Sequence, residues 1–144
     1  MVLERRRAAE LGIPSPIWDT AEQTHAAYDV AVASLLPWVR DAGAEVMVAT
    51  HNQPSVERAV AGMAALGLPP AAPVAFGQLL GMADHLTFGL GAAGFGAYKY
   101  VPFGSVEEVL PYLIRRAQEN SDVLAGSARE SALVRRELRR RLLG

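Results

Sequence analysis

Apolar and polar positions change their period several times along the chain, and each change marks an element. "MVLERRRAAELG", 1–12, is charged and helical in pattern from its first residues, and no N-cap or strand precedes it. The loop "GIPSPIWD" interrupts it with two prolines. "TAEQ" at 20–23 is a capping box, with Thr20 at the cap and Gln23 reaching back. Tyr28, Ala31, Leu35 and Val39 follow at helical spacing. Pro37 is expected to kink that helix or end it near Trp38.

"EVMVAT", 45–50, then breaks the helical period. It is apolar and β-branched without polar alternation, as in a strand buried on both faces. A helix follows over 55–66, with Val56, Val60, Met63 and Ala64 inward, Gly67 just past its end, and Pro69 and Pro70 barring continuation. "PVAFGQLL", 73–80, is a second buried strand, "GMADHLTFGLGAAG" a short helix with a glycine-rich turn, and "AYKYVP", 97–102, a third strand. "SVEE" at 105–108 opens another helix, and "SARE" at 127–130 opens a last basic, amphipathic one over 127–143. The order α, α, β, α, β, α, β, α, α is the rhythm of successive βα units in a parallel sheet joined by right-handed crossovers. The fold class is therefore α/β. Three parallel strands leave two raw sheet edges, so 1–144 is expected to be a single partial domain, the second half of a larger fold.

Composition narrows the function classes. The 144 residues carry 14 basic and 15 acidic side chains, so there is no general attraction to nucleic acid or to an anionic membrane. No apolar run approaches the roughly 20 residues of a transmembrane helix. The absence of cysteine excludes thiol chemistry, and His25, His51 and His85 have no metal-ligand spacing. The arginine-rich start lacks the apolar stretch of a secretory signal, and Glu4 and Glu10 are out of place in a mitochondrial targeting segment.

Three stretches carry candidate chemistry. "GLGAAG", 89–94, spells the dinucleotide-binding fingerprint, but a helix precedes it and a strand follows, which is the wrong context. Glycines of a helix end and turn are the better reading. Thr50, His51 and Asn52 lie just past a strand's C-terminal end, where a parallel barrel builds its active face. A polar loop cap without a ligand fits them as well. In "PYLIRRAQEN", 111–120, about 100° per residue places Val106, Val109, Leu110, Leu113, Ile114 and Ala117 on one apolar arc. Glu108, Tyr112, Arg115, Arg116 and Glu119 fall on the opposite arc. That polar strip is either a solvated, salt-bridged surface or a receptor in which two guanidinium forks, held by acids, grip one carboxylate.

"MVATHN", "FGQLLGMADHL" and "YKYVPFGSVEEVLPYLIRRAQEN", with the earlier "ERRRAAELGIPSPIWDT", resemble the C-terminal half of proline dehydrogenase, in wording nearest its eukaryotic branch. The resemblance covers most of the chain and thins after Asn120. It implies a (β/α)₈ TIM-type barrel, incomplete here, with FAD at the C-terminal ends of the strands and the last helix over the barrel mouth. It implies oxidation of L-proline to 1-pyrroline-5-carboxylate in proline catabolism to glutamate, with electrons passing to a quinone. Arg115 and Arg116 would bind the proline carboxylate, Glu119 would orient them, and Tyr112 would share their strip. Tyr100 and Leu79 would wall the ring, and Thr50 and His51 would contact FAD. The family's active-site lysine and aspartate have no counterpart in this chain. The implied location is the matrix side of the mitochondrial inner membrane in a eukaryote, with room for peripheral membrane association, or otherwise the bacterial cytoplasm. Two alternatives stay open: hydroxyproline dehydrogenase of the same family, and an inactive fragment that acts only through protein contacts.

Overall fold

The computed structural model describes residues 2–120 together with 135, 138, 139 and 142, and for residues 2 and 117–120 the backbone alone. Strands β1 (Val46–Ala49), β2 (Val74–Leu79) and β3 (Gly96–Tyr100) form one parallel sheet in the order β1-β2-β3. The helices are α1 (Val2–Leu11), α2 (Ala21–Ala42), α3 (Gln53–Ala65), α4 (Asp84–Ala92) and α5 (Val106–Asn120). Each strand is thus followed by a helix, the repeating unit of a (β/α) barrel. The last helix expected over 127–143 lies, apart from the helical residues 135, 138, 139 and 142, outside the described residues.

Helix α2 begins at the capping box: the Gln23 amide donates to Thr20 Oγ1 and the Gln23 side chain accepts from the Thr20 amide. Pro37 does not end it. The helix runs five residues further to Ala42, because Val39 still gains burial and Gly43, at φ 66°, supplies the left-handed cap. Its buried stripe is Val32, Leu36 and Val39 with Tyr28 half-buried, so Ala31 and Leu35 face out instead of in. On α3 the inward residues are Ser55, Val56, Ala59 and Met63. Val60 is partly buried and Ala64 is exposed. The cause is the close approach of α2: a Cβ on Gly62 would stand 2.9 Å from Leu36 Cδ1, which draws the 55–59–63 face toward α2.

The strands depart from expectation in one respect that matters for function. The first two were expected to be buried strands, the first on both faces, yet only one face of the sheet is covered among the described residues. Val48, Val74, Phe76 and Gln78 lie beneath the helices, with Val48 and Phe76 fully buried. The opposite face carries Met47, Ala49, Gly77, Tyr98 and Tyr100, and Met47, Tyr98 and Tyr100 are each more than half exposed. Side chains alternate across a strand, so the parallel register sorts them into two uniform layers. α2, α3 and α4 all supply residues to the buried cluster on the covered face, as barrel helices do.

Candidate functional site

Everything of chemical interest gathers at the C-terminal ends of the strands. β1 ends at Ala49, whose backbone lies against the Tyr28 hydroxyl. Burial pushes that phenol's pKa up, and Asp29 beside it pushes the same way. Thr50 follows, and its Oγ1 accepts a hydrogen bond from the Asn52 amide at 3.0 Å, which turns the chain sharply. Asn52 Nδ2 donates to Ser55 Oγ at 2.8 Å and ties the turn to the first residues of α3. His51 crosses to the next strand, where its Nε2 accepts the Leu79 amide at 2.9 Å. The His51 ring is therefore held as the tautomer with Nε2 unprotonated, and Leu79 is fixed relative to β1.

Leu79 and Tyr100 are register partners at the ends of β2 and β3. The Leu80 amide donates to the Tyr100 carbonyl at 3.0 Å and keeps the two strands paired past Leu79. The Tyr100 ring lies 5.7 Å from that of Tyr112 on α5, and the Arg116 guanidinium sits over the Tyr112 ring at 5.6 Å. A cation over an aromatic face is attracted by the ring quadrupole, so Tyr112 steadies Arg116.

The orientation of α5 bears on the two readings of its polar strip. Val106, Leu110, Leu113 and Ile114 of the apolar arc are exposed. Val109, Tyr112 and Arg116 are the half-buried residues, and Tyr112 packs toward the sheet. The helix thus presents part of its polar strip to the strand ends, while four residues of its apolar arc, Val106, Leu110, Leu113 and Ile114, are exposed. A free amphipathic helix on a surface does the reverse. Glu108 Oε2 accepts from the Ser105 amide at 3.4 Å, the side-chain half of the expected capping box.

The structure therefore brings together Tyr100, Tyr112, Arg116 and Leu79, with His51 linked to them through the Leu79 amide and Thr50 beside His51 in the chain. Arg115 is exposed next to Arg116. The Glu119 side chain lies outside the described residues. As expected from context, "GLGAAG" ends α4 and turns into β3, with Gly94 at φ 84°. Sequence reasoning missed Lys99. Its Nζ forms an ion pair with Asp84 Oδ1 at 2.6 Å and donates to the carbonyls of Met82 and Leu79 at 2.5 and 3.3 Å. The legible signal was a lysine inside the otherwise apolar "AYKYVP".

Among the described residues no group of three or more metal-ligating side chains gathers, and no helix is long and apolar enough to cross a membrane. Residues 1–129 match the family described as proline dehydrogenase. The chain is 50% identical to hydroxyproline dehydrogenase of Bos taurus over 143 residues, which is 98% of this chain and 31% of that protein. It is 52% identical to mitochondrial proline dehydrogenase 1 of Homo sapiens over 141 residues, 96% of this chain and 24% of the relative. With the corresponding Drosophila melanogaster protein it shares 46% over 149 residues, 97% of this chain and 22% of that one. The chain thus spans between about a fifth and a third of the length of these relatives.

Proposed function

The chain belongs to the proline dehydrogenase family, and from that premise we propose that it supplies the substrate-closing part of a flavoenzyme barrel that oxidises L-proline to 1-pyrroline-5-carboxylate. The observation that carries this reading is the orientation of α5, with Tyr112 and Arg116 turned toward Tyr100 and four residues of the apolar arc exposed. A guanidinium at that place, steadied by an aromatic ring, suits a small carboxylate. In this reading Arg116 and Arg115 grip the proline carboxylate and Glu119 balances their charge. Tyr100 and Leu79 form the apolar wall that holds the ring.

The reaction removes a hydride from C5 while the ring nitrogen gives up a proton, so a C5–N double bond forms. FAD, when bound, accepts the hydride. The protein's own share is orientation and exclusion of water. The residues present fit such a cofactor at the end of β1. Thr50 Oγ1 accepts from Asn52, which leaves its hydroxyl hydrogen for a ligand oxygen, and His51 is locked in one tautomer beside it. Ala49 and Gly77 carry little or no side chain on the bare sheet face, and the flexible Met47 side chain lies over Gly77 there. Electrons pass onward to a quinone, and the place of action is the mitochondrion, by likeness to the relatives named as mitochondrial.

Hydroxyproline oxidation is the rival reading, favoured equally by sequence identity. Tyr100 supports the proline reading. Its ring is packed against Tyr112, and in this reading its phenol fills the room that a ring hydroxyl would need. The reading is tested in a chimera in which this chain replaces the matching 141-residue stretch of human proline dehydrogenase 1. Anaerobic L-proline should bleach the flavin absorbance, and trans-4-hydroxyproline should do so far less efficiently. A flavin-loaded chimera that L-proline leaves oxidised would sink the proposal.

A further inference from the structure

Behind the wall formed by Leu79 and Tyr100 lies a polar staple that the reaction itself does not use. The turn from β2 into α4, residues 80–83, is conformationally costly. Gly81 sits at φ 75°, and Ala83, which carries a Cβ, sits at φ 50° and ψ 38° in the left-handed region. Ala83 is buried and precedes α4 without any side-chain cap. A backbone held this way persists only where its surroundings over-determine it.

Lys99 supplies that constraint. It sits on β3 one residue before Tyr100, so its side chain leaves on the covered face while the Tyr100 ring leaves on the bare one. Its ammonium has three donors, and three acceptors lie around it: Asp84 Oδ1 at 2.6 Å, the Met82 carbonyl at 2.5 Å and the Leu79 carbonyl at 3.3 Å. The lysine side chain is 18% exposed, so the pair with Asp84 is partly shielded from water on the lysine side. The same turn is closed by the Met82 amide on the Leu79 carbonyl at 3.1 Å and by the Leu80 amide on the Tyr100 carbonyl at 3.0 Å. Lys99 thus joins the backbone of one wall residue, Leu79, to the strand that carries the other.

We propose that Lys99, with Asp84 as its counter-charge, is a positioning residue for substrate selection: it holds the 80–83 turn so that Leu79 and Tyr100 stand side by side and leave no space for a ring hydroxyl. The proposal rests on the proline reading above. Lys99 touches no substrate and acts through the two wall residues. Removing the ammonium takes one hydrogen bond from each of the Leu79 and Met82 carbonyls, lets the turn relax its left-handed Ala83, and widens the wall.

The test uses the flavin-loaded chimera, with Lys99→Met, which keeps the aliphatic stem, and Asp84→Asn. Two readouts are taken. Amide hydrogen exchange should quicken at least tenfold at Leu80 and Met82 in Lys99→Met and stay unchanged at Val48 and Phe76. The ratio of kcat/KM for L-proline over trans-4-hydroxyproline should fall at least fivefold in Lys99→Met and by a smaller factor in Asp84→Asn. A merely structural lysine would lower both activities together and leave their ratio intact, which overturns the proposal. Exchange that quickens everywhere, or nowhere, also overturns it. Should Lys99→Met fail to fold, an unchanged ratio in folded Asp84→Asn counts against the staple and a lowered one supports it. If the unmodified chimera oxidises neither amino acid, the proline reading fails and the substrate role falls with it, while the exchange data still decide whether Lys99 holds the turn.

Discussion

Arg115 and Arg116 are neighbours in sequence but occupy different environments. Arg116 is half-buried over the Tyr112 ring, whereas Arg115 is exposed. Lysine cannot reproduce a planar fork or its stacking on an aromatic face. In the chimera, Arg116→Lys should therefore raise KM for proline at least tenfold, about 1.4 kcal/mol. Arg115→Lys should raise it less, and the double variant should lose less than the product of the two, because one carboxylate couples them. Steady-state kinetics with flavin content measured alongside decides this: near-unchanged KM in both single variants returns the pair to the solvent. Tyr100 makes a complementary prediction. Tyr100→Ser should open space beside the ring and shift relative kcat/KM toward trans-4-hydroxyproline by about 1–3 kcal/mol, the usual range for a steric wall. An unmoved ratio would mean that Tyr100 is not the wall.

At the scale of elements, local signals were readable and packing directions were not. The box at Thr20 and Gln23, the three strands and the helix after each could be read because caps, β-branched runs and turn residues act over a few positions. The buried stripe of α2 was misjudged because Ala31 and Leu35 are as apolar as Val32 and Leu36, and only the approach of Gly62 on α3 selects between them. The α2–α3 contact is also set by Asp29, whose carboxylate is 13% exposed and pairs with Arg58. Burial alone would raise this carboxyl. Hydrogen bonds from Ser55 and Arg58, then the charges of Arg58 and His25, outweigh it and hold the pKa below the usual 3.8. A depressed carboxylate adds stability that is fully present above its unfolded pKa and is lost as pH falls through the lower folded value. Asp29→Asn should therefore cost about 1 kcal/mol near neutral pH, in line with a partly exposed ion pair. The difference from the parent should shrink as pH drops below about 4. Thermal unfolding of the two proteins from pH 7 to pH 3 measures it, and a constant gap across that range would rule the pair out as the cause.

For the whole molecule, the deciding feature is a sheet with one face covered and, among the described residues, one bare. Met47, Tyr98 and Tyr100 on the bare face are more than half exposed, as are Phe103 in the loop before α5 and Val106 at its start. A (β/α)₈ barrel closes that face against five further strands, and its closure leaves no sheet edge. The rhythm of βα units made the need for closure legible in the sequence, because three parallel strands cannot satisfy both edges. The composition of the bare face was not legible, since an apolar run reads alike whether helices or a barrel interior cover it. A cofactor lying across the strand ends would draw on every strand of a complete barrel, and this chain offers three of them with Thr50 and His51. The 144 residues expressed by themselves should therefore not retain FAD through desalting, whereas the chimera should. Bare apolar surface of this kind also favours association, so the isolated chain should elute from a sizing column well ahead of a 15.4 kDa monomer. Visible absorbance and light scattering on the same sample report both properties. A monomeric, stoichiometrically yellow 144-residue protein would mean that this chain by itself suffices to build the cofactor site, and would overturn the view that it acts only within a larger barrel.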